Sequence, residues 1–185
     1  MAKATGTFFL TLTVVLFVLT GDASDLKFFN INSMFGISIR EVNNVCKDHN
    51  GFVWAASKTG MLRITEDEYR LYSLPYEYAS IVNIKTVYRD SLLLVYTSNG
   101  QVFIYNEILD RFERFINLKK ELNSVFMSTH SILIGSDHSL WISTTLGFYQ
   151  YLNGQLIPRG NFNSGVSFLA WKTDQSIIVT TRNRL

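Results

Sequence analysis

Apolar and polar positions along the chain repeat at intervals of about forty residues. Each copy has an apolar anchor, a serine or threonine three residues later and, in three of four copies, a glycine six residues later. The copies are Trp54/Ser57/Gly60, Leu94/Thr97/Gly100, Trp141/Thr144/Gly147 and Ile178/Thr181/Arg184. An aspartate in a predicted turn precedes each anchor: Asp48, Asp90, Asp137 and Asp174. The anchors lie 40, 47 and 37 residues apart, and such a spacing of strand-like units is typical of propeller blades.

The first copy resolves into four short runs that are rich in β-branched and aromatic residues and separated by turn residues. The predicted strands are Val42 to Cys46, Phe52 to Ala56, Gly60 to Ile64 and Tyr69 to Leu74. Four antiparallel strands in succession make one propeller blade. The pair Asn50-Gly51 predicts a type I′ hairpin turn, in which both central residues have positive φ. The turns that begin at Asp90, Asp137 and Asp174 are two residues shorter.

The repeated anchors predict how neighbouring blades pack. Middle strands of stacked blades are covered on both faces, so a bulky apolar side chain fills the space between them. We therefore interpret Trp54 and Trp141 as core residues rather than ligand-stacking platforms, because Leu94 and Ile178 occupy the same position without an aromatic ring. The recurring hydroxyls are expected to bond backbone groups where the strand meets its turn.

The sequence predicts an all-β fold, an incomplete β-propeller of about three and a half four-stranded antiparallel blades preceded by a signal peptide. The predicted segments are 1–23 signal peptide, 24–34 outer strand of the last blade, 36–78 blade 1, 81–118 blade 2, 124–160 blade 3 and 166–185 incomplete blade 4. Within the second of these, Leu26 to Asn30 is the strand itself. Propellers have about 4–8 blades, so the predicted units form part of a larger ring.

Residues 1–23 have the features of a secretory signal. Lys3 provides a positive charge, Phe8 to Leu19 an apolar run, and Gly21 to Ala23 small residues for cleavage. The apolar run is shorter than the roughly 20 residues that span a bilayer, although an uncleaved anchor is the alternative. We expect an exported, periplasmic protein beginning near Ser24. Cys46 is the single cysteine, which excludes an intrachain disulfide, and we interpret it as a small buried apolar residue.

Composition limits the possible partners. With 47% hydrophobic and 17% charged residues the chain is globular. Its net charge of +2 is spread over both signs, and this pattern does not indicate a nucleic-acid partner.

The sequence offers no catalytic, metal-binding or cofactor-binding motif. His49, His130 and His138 do not have metal-ligand spacing, and the scattered carboxylates identify no general acid and base. The sequence identifies no ligand-contacting residue, and Tyr76 and Tyr78 are the tyrosines considered for stacking against a sugar. Tyr69 and Tyr72 fit an outer strand better, and Asn161 to Gly165 fits a connection between blades.

The first copy resembles the repeat of the two-component regulator propeller, whose usual form runs G-L-S, V, I, D, G, L-W, T, G-L, R. The residues that carry the resemblance are Gly36-Ile37-Ser38, Val42, Val45, Asp48, Gly51, Trp54, Ser57, Gly60 and Met61-Leu62-Arg63. It extends over residues 24 to 185, with departures at Leu94, Ile178 and Arg184.

The resemblance implies a function in sensing. Members of that family form the periplasmic sensor regions of hybrid two-component systems, respond to breakdown products of complex carbohydrates and work as membrane-bound homodimers. It implies an oligosaccharide ligand, and a membrane helix and histidine kinase beyond this chain, with no enzyme activity in this segment. Two alternatives remain open: part of a propeller glycoside hydrolase or lyase, and a truncated remnant without function.

Overall fold

A computed structural model of the chain describes residues 30–39, 41–77, 83–160, 166–173 and 176–181. The predicted signal peptide and residues 26–29 of the predicted first strand lie outside this part. The elements are α1 Ile31–Phe35, β1 Val42–Lys47, β2 Val53–Ser57, β3 Gly60–Ile64, β4 Tyr69–Tyr72, β5 Ile84–Arg89, β6 Leu92–Thr97, β7 Gln101–Asn106, β8 Arg111–Asn117, α2 Leu118–Glu121, β9 Thr129–Ile134, β10 Leu140–Thr144, β11 Gly147–Leu152, β12 Gln155–Pro158, β13 Val166–Thr173 and β14 Ser176–Thr181.

The strands form four antiparallel sheets in which sequence neighbours pair. Sheet 1 contains β1–β4, sheet 2 contains β5–β8, sheet 3 contains β9–β12, and sheet 4 contains β13 and β14. The first strands of successive sheets lie beside one another, β1 by β5, β5 by β9 and β9 by β13. The predicted all-β class is therefore confirmed, with three four-stranded units and one two-stranded unit among the described residues.

The repeated anchors lie between each sheet and the next. Trp54 has no exposed surface, and its ring contacts Tyr105 and Phe112 of sheet 2. Leu94 is buried in the cluster that joins sheets 2 and 3, and the half-buried Trp141 packs in the cluster that joins sheets 3 and 4. The predicted packing role is confirmed for these three anchors. Ile178, in the fourth copy, is 46% exposed.

In the three copies that have both the hydroxyl and the glycine, the hydroxyl closes the turn between the second and third strands. The Ser57 hydroxyl donates to the Gly60 carbonyl at 3.0 Å, and the Thr144 hydroxyl donates to the Gly147 carbonyl at 3.1 Å. The Thr97 hydroxyl donates to the Gln101 carbonyl at 3.2 Å. The predicted hydroxyl-to-backbone bonds are thus confirmed in three copies. The side chain of the fourth, Thr181, lies outside the described part.

The predicted hairpin turns are partly wrong. Gly51 has φ of 88°, but Asn50 is not among the described positive-φ residues, so the β1–β2 connection is not a type I′ turn. A type I′ turn needs positive φ at both of its central residues. The two residues between β5 and β6, Asp90 and Ser91, meet this condition with φ of 48° and 66°. The β9–β10 connection comprises five residues, 135–139, and is not shortened.

A short helix, α1, begins directly after the predicted outer strand of the last blade, Leu26 to Asn30, of which the structure describes only Asn30. The Asn30 side chain accepts a hydrogen bond from the Ser33 N–H at the start of α1, and Gly36 ends the helix with φ of 63°. Residues 37–39 continue from it, and Ile37 and Ile39 pack with Phe35 against sheet 1. Residues 31–34, the end of the predicted 24–34 segment, are therefore helical, because side-chain capping and a terminal glycine favour a helical turn. No helix within the described residues is long and apolar enough to cross a membrane.

Candidate ligand-binding face

Loops from successive sheets meet at one end of the strands. We name this end the loop face; it comprises the turns 58–59, 98–100 and 145–146 and the connections 73–77 and 118–128. Backbone hydrogen bonds join these loops to one another and to the strands beside them. The Leu118 N–H donates to the Gly100 carbonyl at 2.8 Å, and the Thr145 N–H donates to the Ser128 carbonyl at 2.9 Å. The Ser98 N–H donates to the Asn83 carbonyl at 2.9 Å, and the Thr129 N–H donates to the Ser98 carbonyl at 2.8 Å. The loop face is therefore a connected surface between sheets 2 and 3.

A cavity of about 210 Å³, which we name the polar cavity, opens between sheets 2 and 3 at the loop face. Every lining residue carries a polar side chain: Asn83, Lys85, Tyr96, Ser98, Ser128, Thr129 and His130. The Lys85 ammonium donates to the His130 carbonyl at 2.9 Å and so links the first strands of the two sheets. Burial raises the pKa of Tyr96, whose hydroxyl interacts with Ser131 and the backbone of Ile132, and the phenol therefore stays neutral.

A second cavity on the loop face, of about 450 Å³, adjoins helix α2. Its lining residues are Asn117, Lys119, Lys120, Asn123, Ser124 and Val125. Beside it Phe126 is 94% exposed. Glu77 anchors the neighbouring connection, since it accepts a hydrogen bond from the Asn117 amide at 2.7 Å and lies 3.0 Å from the Lys120 ammonium. The hydrogen bond from Lys120 holds the pKa of Glu77 below its usual range, which keeps this carboxylate ionised.

The tyrosines considered as sugar contacts have structural partners. The half-buried Tyr76 ring lies 5.7 Å from the Phe103 ring at 89°, an edge-to-face contact. Tyr69 packs 5.2 Å from Phe35, and Tyr72 is buried in the core of sheets 1 and 2. Tyr78 and residues 161–165 lie outside the described part.

An aromatic cleft of about 400 Å³ lies between sheets 3 and 4. Its lining residues are Gly135, Ser136, Asp137, Trp141, Phe148, Trp171, Ile177 and Val179. Trp141 stacks on Phe148 with ring centroids 5.4 Å apart, and the Arg89 guanidinium lies 5.3 Å from the Trp171 ring centroid. Because the β9–β10 connection lines this cleft, it is separate from the loop face.

The side chains of His49 and Cys46 are held by contacts between sheets 1 and 2. Nδ1 of His49 lies 2.6 Å from the Tyr88 hydroxyl, in a hydrogen bond between sheets 1 and 2. Cys46 is half-buried rather than buried, and its Sγ lies 3.5 Å from the Thr86 hydroxyl. Burial raises the pKa of this thiol, which disfavours the reactive thiolate. Within the described ranges, no three His, Cys, Asp or Glu residues are grouped to hold a metal ion.

Sequence reasoning did not identify the polar cavity. Its residues come from two sheets and the connection between them, and they form no motif. The available signal is weak: polar residues cluster where β5 and β9 begin and where β6 ends. Only pairing of the loops across sheets brings these positions together.

Comparisons with known proteins identify solved structures that share this fold. No protein-family model and no curated protein matches the chain. Two solved structures of the extracellular domain of BT4673 from B. thetaiotaomicron are similar, one described as a one-component and the other as a hybrid two-component system. Their TM-scores are 0.65 and 0.64, each at 16% identity over 86% of this chain and 23% of that chain.

The extracellular domain of BT3049, a hybrid two-component system of the same organism, is similar with a TM-score of 0.59. Identity is 14%, over 83% of this chain and 23% of that chain. The chain thus spans about a quarter of the length of the domains it matches. Its resemblance to sensor-region repeats predicted such neighbours, and its fold is that of part of the extracellular domains of hybrid two-component systems.

Proposed function

We propose that the chain is part of a β-propeller in the extracytoplasmic sensing region of a two-component signalling protein. The packing between sheets supports this proposal, since three anchors fill equivalent interfaces and first strands lie side by side. About three and a half blades would belong to a larger ring. The fold shared with extracellular domains of hybrid two-component systems points the same way.

The proposed ligand is a carbohydrate breakdown product that binds at the loop face. The observation that carries this proposal is the polar cavity, where seven polar residues from two sheets surround one concave space. Binding sites are commonly concave, are often built from loops and use a few placed polar groups for orientation. A ligand held there would bridge sheets 2 and 3 and bias their relative arrangement, which is the differential contact a signal requires. The signal would pass to a kinase beyond this chain.

The same proposal includes export and assembly. Residues 1–23 would act as a signal peptide and place the sensing region in the periplasm. The complete sensor would be anchored by a membrane helix outside this chain and would work as a homodimer. The exposed Phe126 and Val125 on the loop face suit contact with another surface.

The carboxylates with shifted pKa values bear on the hydrolase alternative. A hydrogen bond from Ser139 holds the pKa of Asp137 below its usual range, and a hydrogen bond from Arg111 does the same for Glu113. A general acid in glycoside hydrolysis needs a raised pKa. Glu77, Asp110, Glu113 and Asp137 all have lowered pKa values, so none of these four carboxylates has the property of a general acid.

Calorimetric titration of the chain against a panel of oligosaccharides, with a reducing-end assay on the same mixtures, tests the proposed function. We expect at least one saccharide to bind with no increase in reducing ends. An increase in reducing ends would support the hydrolase alternative. If no saccharide in the panel binds, the carbohydrate-sensing proposal fails.

A further inference from the structure

We infer that the polar cavity binds an anionic sugar unit, one that carries a carboxylate or sulfate group. This inference rests on the proposed sensing function, because it specifies the chemical class of the saccharide. Three observations carry it: the cavity is held in shape by backbone bonds, its charge is positive, and several of its polar side chains have no partner in the described structure.

The cavity is preformed. Backbone hydrogen bonds run from Ser98 to Asn83 and from Thr129 to Ser98, and a third runs from the Thr145 N–H to the Ser128 carbonyl at 2.9 Å. Together they fix the rim to the β6–β7 and β10–β11 turns. Binding to such a rim costs little ordering of the protein. At about 210 Å³ the space is smaller than the roughly 300–1,000 Å³ of sites for drug-sized ligands, so it suits one sugar ring.

The charge of the cavity favours an anion. Lys85 carries a positive charge, His130 is the only other titratable base in the lining, and the lining contains no aspartate or glutamate. The Lys85 ammonium uses one hydrogen on the His130 carbonyl, which leaves two for a ligand. Hydrogen bonds between an ammonium and a carboxylate or sulfate are about twice as strong as those between neutral groups.

The neutral groups of the cavity suit sugar hydroxyls. The side chains of Asn83, Ser98 and Ser128 line the cavity and make no hydrogen bond with any residue in the described ranges. An amide and two hydroxyls can each donate and accept, as sugar hydroxyls also do. An inorganic anion would use the Lys85 charge and leave these groups without a partner. The cavity is therefore expected to prefer an anionic sugar to either a neutral sugar or a simple anion.

The test is calorimetric titration of the full 185-residue chain with glucuronate, glucose and inorganic sulfate. We expect glucuronate to bind about tenfold or more tightly than glucose, and sulfate to bind more weakly than glucuronate. Lys85→Gln should weaken glucuronate binding about tenfold, as expected for the loss of one hydrogen bond to a charged group. The glucose affinity of this variant should change by less than about threefold, because the ammonium interaction is specific to the anion.

Lys47→Gln is the matched control, since Lys47 is exposed at the far end of β1 from the loop face. Its glucuronate affinity should equal that of the unmodified chain. Thermal melts of all variants separate loss of binding from loss of folding. Should Lys85→Gln melt early, the comparison of the three ligands on the unmodified chain decides.

The inference is overturned if glucose binds as tightly as glucuronate, if sulfate does so, or if a folded Lys85→Gln variant binds glucuronate normally. Neutral oligosaccharides that bind equally well to the unmodified chain and to Lys85→Gln would leave the proposed sensing function in place while removing this inference. If no saccharide binds at all, both are overturned.

Discussion

The indole N–H of Trp54 donates a hydrogen bond of 2.7 Å to Oδ2 of Asp48, six residues earlier in the same hairpin. The other carboxylate oxygen of Asp48 accepts the Phe52 N–H at 2.9 Å. One aspartate therefore closes the β1–β2 connection and satisfies the donor of a fully buried indole. The spacing of aspartate and tryptophan in the first copy has this physical cause.

Asp48→Ala is expected to lower the free energy of unfolding by about 1–3 kcal/mol, because the buried indole donor loses its partner. Urea denaturation followed by tryptophan fluorescence measures the loss. Asp67→Ala is the matched control, since Asp67 is exposed in the β3–β4 turn and should change stability by less than about 0.5 kcal/mol. Equal stability of both variants would show that the Asp48 contact contributes nothing.

Truncating an anchor side chain should lower the free energy of unfolding by an amount that depends on how far neighbouring residues bury it. Trp54→Ala removes a ring packed against Tyr105 and Phe112 and is expected to cost about 3–5 kcal/mol. Ile178→Ala removes a side chain from the same repeat position that is 46% exposed, and should cost less than about 1 kcal/mol. Denaturant unfolding of both variants measures this difference. Similar losses would contradict the assignment of Trp54 to an interface between sheets.

The sequence pattern predicted the strands well where both faces of a sheet are covered. The predicted third strand of the first copy, Gly60 to Ile64, has the observed bounds, because the glycine turn fixes its start. The outer strand, predicted as Tyr69 to Leu74, ends at Tyr72. Outer strands are partly exposed, so their pattern constrains the ends less. The type I′ prediction at Asn50-Gly51 failed because Asp48 and Phe52 close a longer loop there.

The apolar packing between sheets was predictable from the repeated anchors, but the polar contacts between sheets were not. The Lys85–His130 bond joins residues 45 positions apart, and the rim bonds of the polar cavity join residues 15 to 31 positions apart. No local pattern encodes such pairings. Helix α1 was missed for a different reason. It has only five residues, too few to show a helical repeat of apolar positions, and the acidic and aromatic residues before it resembled an outer strand. The candidate site therefore emerges from the packing of repeats rather than from any one of them.

Asp110 joins sheets 1 and 2 through a cluster of polar groups. Its carboxylate accepts hydrogen bonds from the hydroxyls of Tyr105 at 2.5 Å and Tyr72 at 2.7 Å, and it forms ion pairs with Arg63 and Arg70. Burial alone would raise the pKa of this carboxyl. The two hydroxyls and the two guanidinium groups outweigh burial and hold the pKa below its ordinary value of 3.8.

Because the folded-state pKa of Asp110 is lowered, its contribution to stability is present above pH 3.8 and is lost as the pH falls through the lowered value. We expect Asp110→Asn to be less stable than the unmodified chain by about 1–3 kcal/mol at pH 7. The difference should shrink as the pH falls below 3.8, where the carboxyl of the unfolded chain becomes protonated, and should be lost once the pH is below the lowered pKa of the folded state. Urea denaturation at pH 7, 4 and 2.5 measures it, with Asp67→Asn as the control. A difference that does not change with pH would contradict the role of the charge.

Two features require a glycine at position 60: a positive backbone φ and a carbonyl oxygen that leaves no room for a Cβ. Its φ is 132°, and a Cβ at this position would lie 2.5 Å from the Tyr72 carbonyl oxygen, which β4 holds in place. Gly154 has φ of 77° with nothing within 4 Å of a Cβ, so it isolates the backbone effect. Gly154→Ala should cost about 1–2 kcal/mol, and Gly60→Ala about 1–3 kcal/mol more, because the β3–β4 ladder must move. Thermal melts of the two variants measure this difference in stability. Equal melting temperatures would mean that β4 moves away from the new Cβ with no loss of stability.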